Sequence, residues 1–348
     1  MSKINRNLLL VAAALFLLSA LTYRQSVGRG DRFQRGQLFL ANLNPDDVTT
    51  ISVAEGDDSV TLRRQGDRFL VAEKQDYPAS NSSVNRLLRD LLEIGLERQV
   101  GKGENLQAEL EIEPIGAATV EVVLSGSGEQ EMVRMRLGKS FADGPGNYIQ
   151  RFDEEDAAIY LTASGVQIST DVGTYLDKLI VDHERSEVSS VSGTDFLLAR
   201  AAESGELALA DLPAGEEAKT SEIGRLESML TDLRFDEVFV ADADEVSGLR
   251  FDPVLEIGLQ DGSGYVLSLA QRDDKSYVKI RGTSEVQQVA IAVDEAEEEL
   301  QEKADMLSRA DEIDAFNSFH GSWVYEISDF TAGKLQLTRK DLVESETS

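Results

Sequence analysis

The side chains best suited to chemistry are sparse. The 348-residue chain has two histidines and no cysteine. His183 sits in the run Asp182-His183-Glu184-Arg185-Ser186-Glu187, and His320 in Phe319-His320-Gly321-Ser322-Trp323, far away in sequence. An imidazole can move a proton near neutral pH or hold a metal. A histidine with no partner at fixed spacing reads first as a solvated or interface residue. The missing cysteine removes disulfides, thiolate nucleophiles, iron–sulfur clusters, zinc–cysteine sites and an acylated-cysteine anchor. No serine nucleophile elbow, phosphate-binding loop or His-Glu-x-x-His run occurs. Gly126-Ser127-Gly128 and Gly262-Ser263-Gly264 have the spacing of a phosphate turn, but neither opens a helix, so both read as hairpin loops. Asp242-Ala243-Asp244-Glu245 lacks the glycine and final glutamate of a calcium loop, which leaves weak cation binding at most. Asp153 to Asp156 reads as a charged turn. Among 64 acidic residues a carboxylate pair for hydrolysis stays open, but nothing singles one out. Trp323, the one tryptophan, reads as core before it reads as a ligand platform. No catalytic residue, cofactor or metal ligand is therefore assigned.

The charge restricts partners. The chain carries −30 in total, and residues 1–37 hold six cations against Asp31 alone, so the remainder carries about −35. Such a body repels phosphate backbones, and no nucleic-acid binding is expected. The acidity suits a solvated surface adapted to salt. The functional alternative is a docking face for a basic partner or divalent cations.

The elements that must position these residues begin with an uncharged run, Leu8 to Tyr23. As a helix its sixteen residues span ~24 Å against a ~30 Å hydrocarbon core, with Arg24 able to snorkel. The length also permits a cleaved signal peptide, but no small-x-small cleavage pattern follows, which favours an uncleaved signal anchor. Lys3 and Arg6 precede the run, and four arginines follow it, so charge alone leaves the orientation open. The very short tail places residues 1–7 in the cytoplasm and the body outside it. Residues 24–43 then form a basic tether.

Beyond the tether the pattern is an α+β fold of mainly antiparallel sheet. It is expected as two tandem copies of one module, each with a packed helix. The helices align at a fixed offset: Val84, Arg86, Leu87, Leu91 and Ile94 match Ile223, Arg225, Leu226, Leu230 and Leu233. The same offset carries Leu110 and Pro114 onto Leu249 and Pro253, which points to duplication. Strands are expected at 48–53, 59–64, 67–72, 119–124, 131–137, 147–152 and 157–162. In the second copy they are expected at 194–200, 206–210, 237–241, 254–259, 264–270, 276–281 and 289–293. Helices are expected after Ser82 or Ser83, at 221–233, and from Asp294 to about Ala315. A further helix at 171–180 bridges the copies, and final strands lie at 321–328 and 334–339. The domain plan is copy one at 44–165, a bridge at 166–185, copy two at 186–340 and a frayed tail at 341–348.

At these positions the chain resembles the family known as domain of unknown function 4340. The residues that carry the likeness are Tyr77-Pro78-Ala79, the Leu-x-x-x-Pro turns, Leu137-Gly138 followed by Tyr148-Ile149-Gln150-Arg151, Tyr160-Leu161, and Tyr175 to Ile180. The likeness runs from about Asn44 to Arg339. It departs at Phe69, where tryptophan is common, at Ser80, where aspartate is frequent, and in the glycine of the proline turn, which only Gly248 retains. The resemblance implies a single-pass protein of the bacterial inner membrane with its bulk in the periplasm, near an ABC-type transport system of the kind linked to gliding motility. It supplies no catalytic residue.

The leading expectation is thus a non-enzymatic accessory subunit that contacts an ABC-type permease or a sister periplasmic subunit. A periplasmic binding module for a lipid, glycan or peptide is the alternative, and an envelope hydrolase the third. The docking patch is placed at Trp323, Leu176 and Tyr175.

Overall fold

The computed structural model describes residues 35–113, 119–152, 158–213, 215–284 and 297–345. The apolar run 8–23, tether residues 24–34, Pro114, the acidic turn 153–156 and the strand expected at 289–293 lie outside the described residues. No helix among the described residues is long and apolar enough to cross a membrane. The chain is mixed α+β, mostly antiparallel sheet with few helices. It divides into two compact units between Tyr175 and Leu176.

The first unit opens with β1 (Thr50–Glu55), β2 (Asp58–Gln65), β3 (Arg68–Val71) and β4 (Tyr77–Pro78). Helix α1 (Asn81–Leu92) leads to β5 (Leu96–Gly101) and α2 (Glu104–Glu109). Then come β6 (Val120–Ser125), β7 (Glu131–Ser140), β8 (Asn147–Arg151) and β9 (Ile159–Thr162). The sheet order is β4-β3-β2-β1-β6-β7-β8-β9-β5. Alternation builds it: Val60 and Leu62 of β2 and Val133 and Met135 of β7 are buried while their neighbours are not. Helix α1 buries Val84, Leu87, Leu88 and Leu91 from one stripe, each contributing about 1.5–3 kcal/mol. Its cap is Ser80, whose Oγ accepts the Ser83 N–H at 3.4 Å, rather than the expected Ser82 or Ser83.

Two tight spots shape this sheet. A Cβ added at Gly138 would lie 2.2 Å from the Leu110 carbonyl oxygen, so β7 passes that loop where only hydrogen fits. Glu121 on β6 is 8% exposed. It faces Arg136 across the ladder and accepts from Arg136 Nε at 2.6 Å and from an Arg134 terminal nitrogen at 2.7 Å. The carboxylate is thus fully used, as a buried charge must be. The later part of the tether is not free chain. Gly36 N–H donates to Leu96 O and Phe39 N–H to Ile94 O, both at 2.8 Å, and Phe39 and Leu40 are buried.

The second unit runs β10 (Leu179–Val181), β11 (Val188–Gly193), β12 (Leu197–Arg200), β13 (Leu207–Leu209), β14 (Glu216–Ala218) and α3 (Thr220–Glu227). It continues through β15 (Leu233–Arg234), β16 (Glu237–Val240), β17 (Asp252–Leu259), β18 (Ser263–Arg272), β19 (Lys275–Ser284) and α4 (Glu297–His320). It ends with β20 (Trp323–Ile327), α5 (Asp329–Leu335), α6 (Arg339–Leu342) and β21 (Val343–Ser345). The main sheet has the order β13-β12-β11-β17-β18-β19-β20-β16. Helix α4 meets it at Gly282, whose N–H donates to Asn317 Oδ1 at 2.7 Å while Asn317 Nδ2 donates back to Gly282 O at 2.9 Å.

Four expectations are corrected here. Residues 171–180 are not a helix. Asp171 caps one short turn, Val172–Thr174, by accepting the Gly173 N–H, and the β-branched Ile180 and Val181 then belong to β10, which pairs with β15. Residues 334–339 are not a strand. Ser328 caps α5, and Thr338 and Asp341 cap α6 reciprocally, so local capping overrides the alternation of Leu335 and Leu337. Val343–Ser345, expected in the frayed tail, pair with β14. The helix at 221–233 is also shorter than expected, ending at Glu227.

Candidate functional site

Strands β17, β18 and β19 each have a neighbour on both sides. Alternation sorts their side chains by face. Leu255, Ile257, Leu267, Val278 and Ile280 are buried on the face that α4 meets at Gly282. The outer face carries three cross-strand rows. Pro253, Ser268 and Lys279 oppose one another in the first. Ser192, Glu256, Val266 and Arg281 form the second. Ser190, Gly258, Gly264 and Thr283 form the third.

Two hollows lie along these rows. One, of about 360 Å³, is lined by Val266, Ser268, Lys279 and Arg281, with Asn317, His320 and Trp323 at one end. The β19–β20 pairing stops at Val278 opposite Tyr325, and the notch beyond it receives this hollow. The other, of about 370 Å³, is lined by hydroxyls from Ser189, Ser190, Ser192, Thr283 and Ser284, with Glu256. A bulge between Val188 and Ser190 brings both Ser189 and Ser190 to Gly258. The hollows abut along the second row, because Glu256 of one directly opposes Val266 of the other.

The charge of this face differs from that of the chain. Lys279 Nζ sits 4.8 Å from the Phe251 ring centre, a cation–π contact. Arg281 is exposed and makes no ion pair among the described residues. Among the described residues no carboxylate lines the hollow that holds these two cations.

The structure links the two histidines that the sequence left apart. His183 Nδ1 lies 3.1 Å from Glu187 Oε2, and its Nε2 lies 3.1 Å from the Tyr265 hydroxyl. The Tyr265 ring meets Phe316 edge-on at 5.2 Å, and Phe316 stacks on His320 at 4.0 Å. His320 Nδ1 then lies 2.7 Å from the Tyr325 hydroxyl. A neutral His183 satisfies both contacts with Nδ1–H donated to the carboxylate and Nε2 accepting the phenol proton. Burial, with Asp261, Glu312 and Glu187 nearby, pushes the Tyr265 phenol up to about 12. Burial holds His320 down at about 4. A third hollow of about 350 Å³ adjoins His183, Glu187 and Asp261. The signal that could have found this run is Phe316 and His320, four apart on one helix.

The residues expected as a docking patch are buried. Trp323 is 8% exposed, Tyr175 3% and Leu176 3%. Val324 shares a cluster with Tyr277 on the outer face, so alternation turns Trp323 and Tyr325 toward α4, where Trp323 meets Phe319 at 6.3 Å. Tyr175 is a latch in the first unit: its hydroxyl donates to Ser169 O at 2.9 Å and its carbonyl accepts the Ser80 N–H at 2.7 Å. Of the three, Trp323 alone borders the hollows described above.

No group of three or more His, Asp or Glu side chains among the described residues could hold a metal. At Asp242–Glu245 the Glu245 carbonyl is taken by Arg272 and the Asp244 carbonyl by Ser247. Gly126-Ser127-Gly128 lies in the hairpin loop between β6 and β7, whereas of Gly262-Ser263-Gly264 only Gly262 lies in the turn and Ser263 and Gly264 already pair within β18.

No curated protein and no solved structure matches the chain. A family model matches residues 70–253, a stretch that spans α1, the later strands of the first unit and the second unit as far as β17, and the chain belongs to that family, described as Domain of unknown function (DUF4340).

Proposed function

We propose that this chain is a non-enzymatic envelope subunit that works by binding. Residues 8–23 anchor it in the inner membrane, the bulk is periplasmic, and an ABC-type permease or a sister periplasmic subunit is its partner. The observation that carries the binding reading is the outer face of β17, β18 and β19, where two abutting hollows are lined by hydroxyls, two cations and the approach to Trp323. Concave sites with a few convergent polar groups are where ligands settle.

The two units are further proposed to be copies of one module. The strand order supports this. In each sheet the opening strands run outward from the first, β1 to β4 in one and β11 to β13 in the other, four later strands continue on its other side, and a strand that follows the helix, β5 or β16, closes the far edge. Leu87 and Leu226, matched by the sequence offset, are both buried. Helix α4 would then be an insertion between the last two strands of the second copy.

A hydrolase reading starts from Glu187, His183 and Tyr265, which form a carboxylate–imidazole–hydroxyl line. A phenol held at about 12 stays protonated at neutral pH, so it is a poor nucleophile. The binding reading is favoured.

The test is affinity purification of the tagged full chain from detergent-solubilised membranes, beside a variant with Lys279→Glu and Arg281→Glu. Partners or ligands held by the native chain and lost from the variant support the reading. Equal recovery by both removes the outer face from the function.

A further inference from the structure

We infer that the outer face of the second unit's sheet binds an acidic oligosaccharide laid across β11, β17, β18 and β19. The inference rests on the binding reading above and names the ligand class.

The register is the first ground. Ser192, Glu256, Val266 and Arg281 oppose one another in a single row, which spans about 14 Å at the usual strand spacing. The row crosses both hollows. It therefore suits one extended ligand better than two separate ones.

The side-chain types are the second ground. Ser190, Ser192, Thr283 and Ser284 offer hydroxyls, each able to donate and to accept. Glu256 adds an acceptor. Gly258 and Gly264 carry no side chain, and the hydroxyls of Ser189, Ser190 and Thr283 close over them, so the third row presents hydroxyls rather than apolar surface. Sugar hydroxyls need this mixture of donors and acceptors. An acyl chain does not, and Val266 and Pro253 supply little apolar surface for one. A peptide strand is disfavoured for another reason. β17 and β18 are paired on both sides, and where β19 runs on past its last β20 partner, Val278, Asn317 already takes the Gly282 N–H and carbonyl, so little open edge remains to receive it.

The charge is the third ground. Lys279 and Arg281 stand two residues apart on one face of β19, and no carboxylate among the described residues lines their hollow. In a chain of −30, such a pair marks where a carboxylate of the ligand belongs. Arg281 can take it in a bidentate contact.

The single tryptophan supplies the readout, because Trp323 borders the cationic hollow. The full chain in neutral detergent is titrated with an oligogalacturonide, with neutral maltohexaose and with dodecanoate, and Trp323 emission is followed. A saturable change is expected with the oligogalacturonide. Arg281→Gln should weaken it about tenfold, as for loss of a charge-assisted bond, and Ser192→Val about threefold, as for loss of a neutral one. Ser192 lies at the other end of the row, so its effect separates a ligand that crosses the sheet from a small anion held at Arg281. Maltohexaose binding as tightly, with no dependence on Arg281, overturns the acidic class. An Arg281-dependent response to dodecanoate alone overturns the sugar class and leaves the binding reading standing. No saturable response to any of the three, with the native chain still holding more partners than the charge-reversed variant, overturns the inference alone. No response together with equal recovery overturns both.

Discussion

His320 Nδ1 lies 2.7 Å from the hydroxyl of Tyr325, so the end of α4 and the start of β20 are tied by one hydrogen bond across the turn between them. Phe316 and Phe319 cover the imidazole. Lys279 and Arg281 line the same hollow, and neither favours a second positive charge beside them.

The pH dependence follows from that burial. The folded imidazole stays neutral down to about pH 4, whereas an unfolded histidine protonates near 6.5. Between these values the unfolded chain binds the extra proton, so stability is complete above about pH 6.5 and falls as the pH drops toward 4. By pH 5 the loss from this one group should reach about 2 kcal/mol. His320→Gln keeps an acceptor for Tyr325 and should flatten that part of the pH profile in urea unfolding. An unchanged slope between pH 7 and pH 5 would remove His320 as its source.

Gly138 is a test of backbone approach in the first unit. Alanine there would put Cβ 2.2 Å from the Leu110 carbonyl oxygen, so β7 or the loop at Leu110 must move. A loss of about 2–3 kcal/mol is expected in denaturant unfolding. Gly144→Ala, where the nearest atoms are those of the Phe141 ring at 3.4 Å, should cost well under half as much. Equal losses would refute the close approach.

Glu121 tests the buried ion pair. Arg134 and Arg136 both donate to it, and Arg136 also lies over the Phe152 ring at 4.1 Å. Glu121→Gln leaves Arg136 with a neutral acceptor in a largely buried place and should cost about 3 kcal/mol. Arg134 retains Glu131, so Glu131→Gln should cost less than 1 kcal/mol, as for an exposed pair. The comparison is read from thermal or urea unfolding, and a larger effect at Glu131 would contradict the geometry.

Membrane retention is tested by carbonate washing. The full chain should stay with the membrane pellet, and a variant lacking residues 8–23 should move almost wholly to the supernatant. A reporter fused after Ser348 should be active only outside the cytoplasm. Release of the intact full chain, or reporter activity inside, would reverse the anchor or its orientation.

The sequence made most of the sheet legible, because hairpins such as β6–β7 and β17–β18 pair clear alternation with glycine turns. It hid β11, where Val188 and Val191 are buried among Ser189, Ser190 and Ser192, so a bulge and small polar residues masked the period. It hid β5 as well, since Leu96 is followed by Glu97, Arg98 and Gln99, and its pairing comes from β9 far along the chain. The candidate site was harder still. Its row depends on register between four strands, which no single segment contains. The face that Trp323 occupies follows from Val324 packing on Tyr277, a contact between strands that the local sequence does not show. The histidine pair depends on an aromatic bridge through Phe316 that only tertiary packing supplies.

The far-edge strands set an order on folding. β5 pairs with β9, and β16 pairs with β20, where Val240 opposes Trp323. Neither sheet can close until its last strand has been made. As the chain leaves the ribosome, β16 must wait roughly 4–16 s for its partner at ordinary synthesis rates. During that time it is an unpaired strand with Val238 and Phe239 open to other chains. Slow closure through long-range pairing is the kinetic cost of this topology, and the second unit bears more of it because α4 lies between β19 and β20. Chaperone dependence and aggregation during expression should therefore track the second half of the chain.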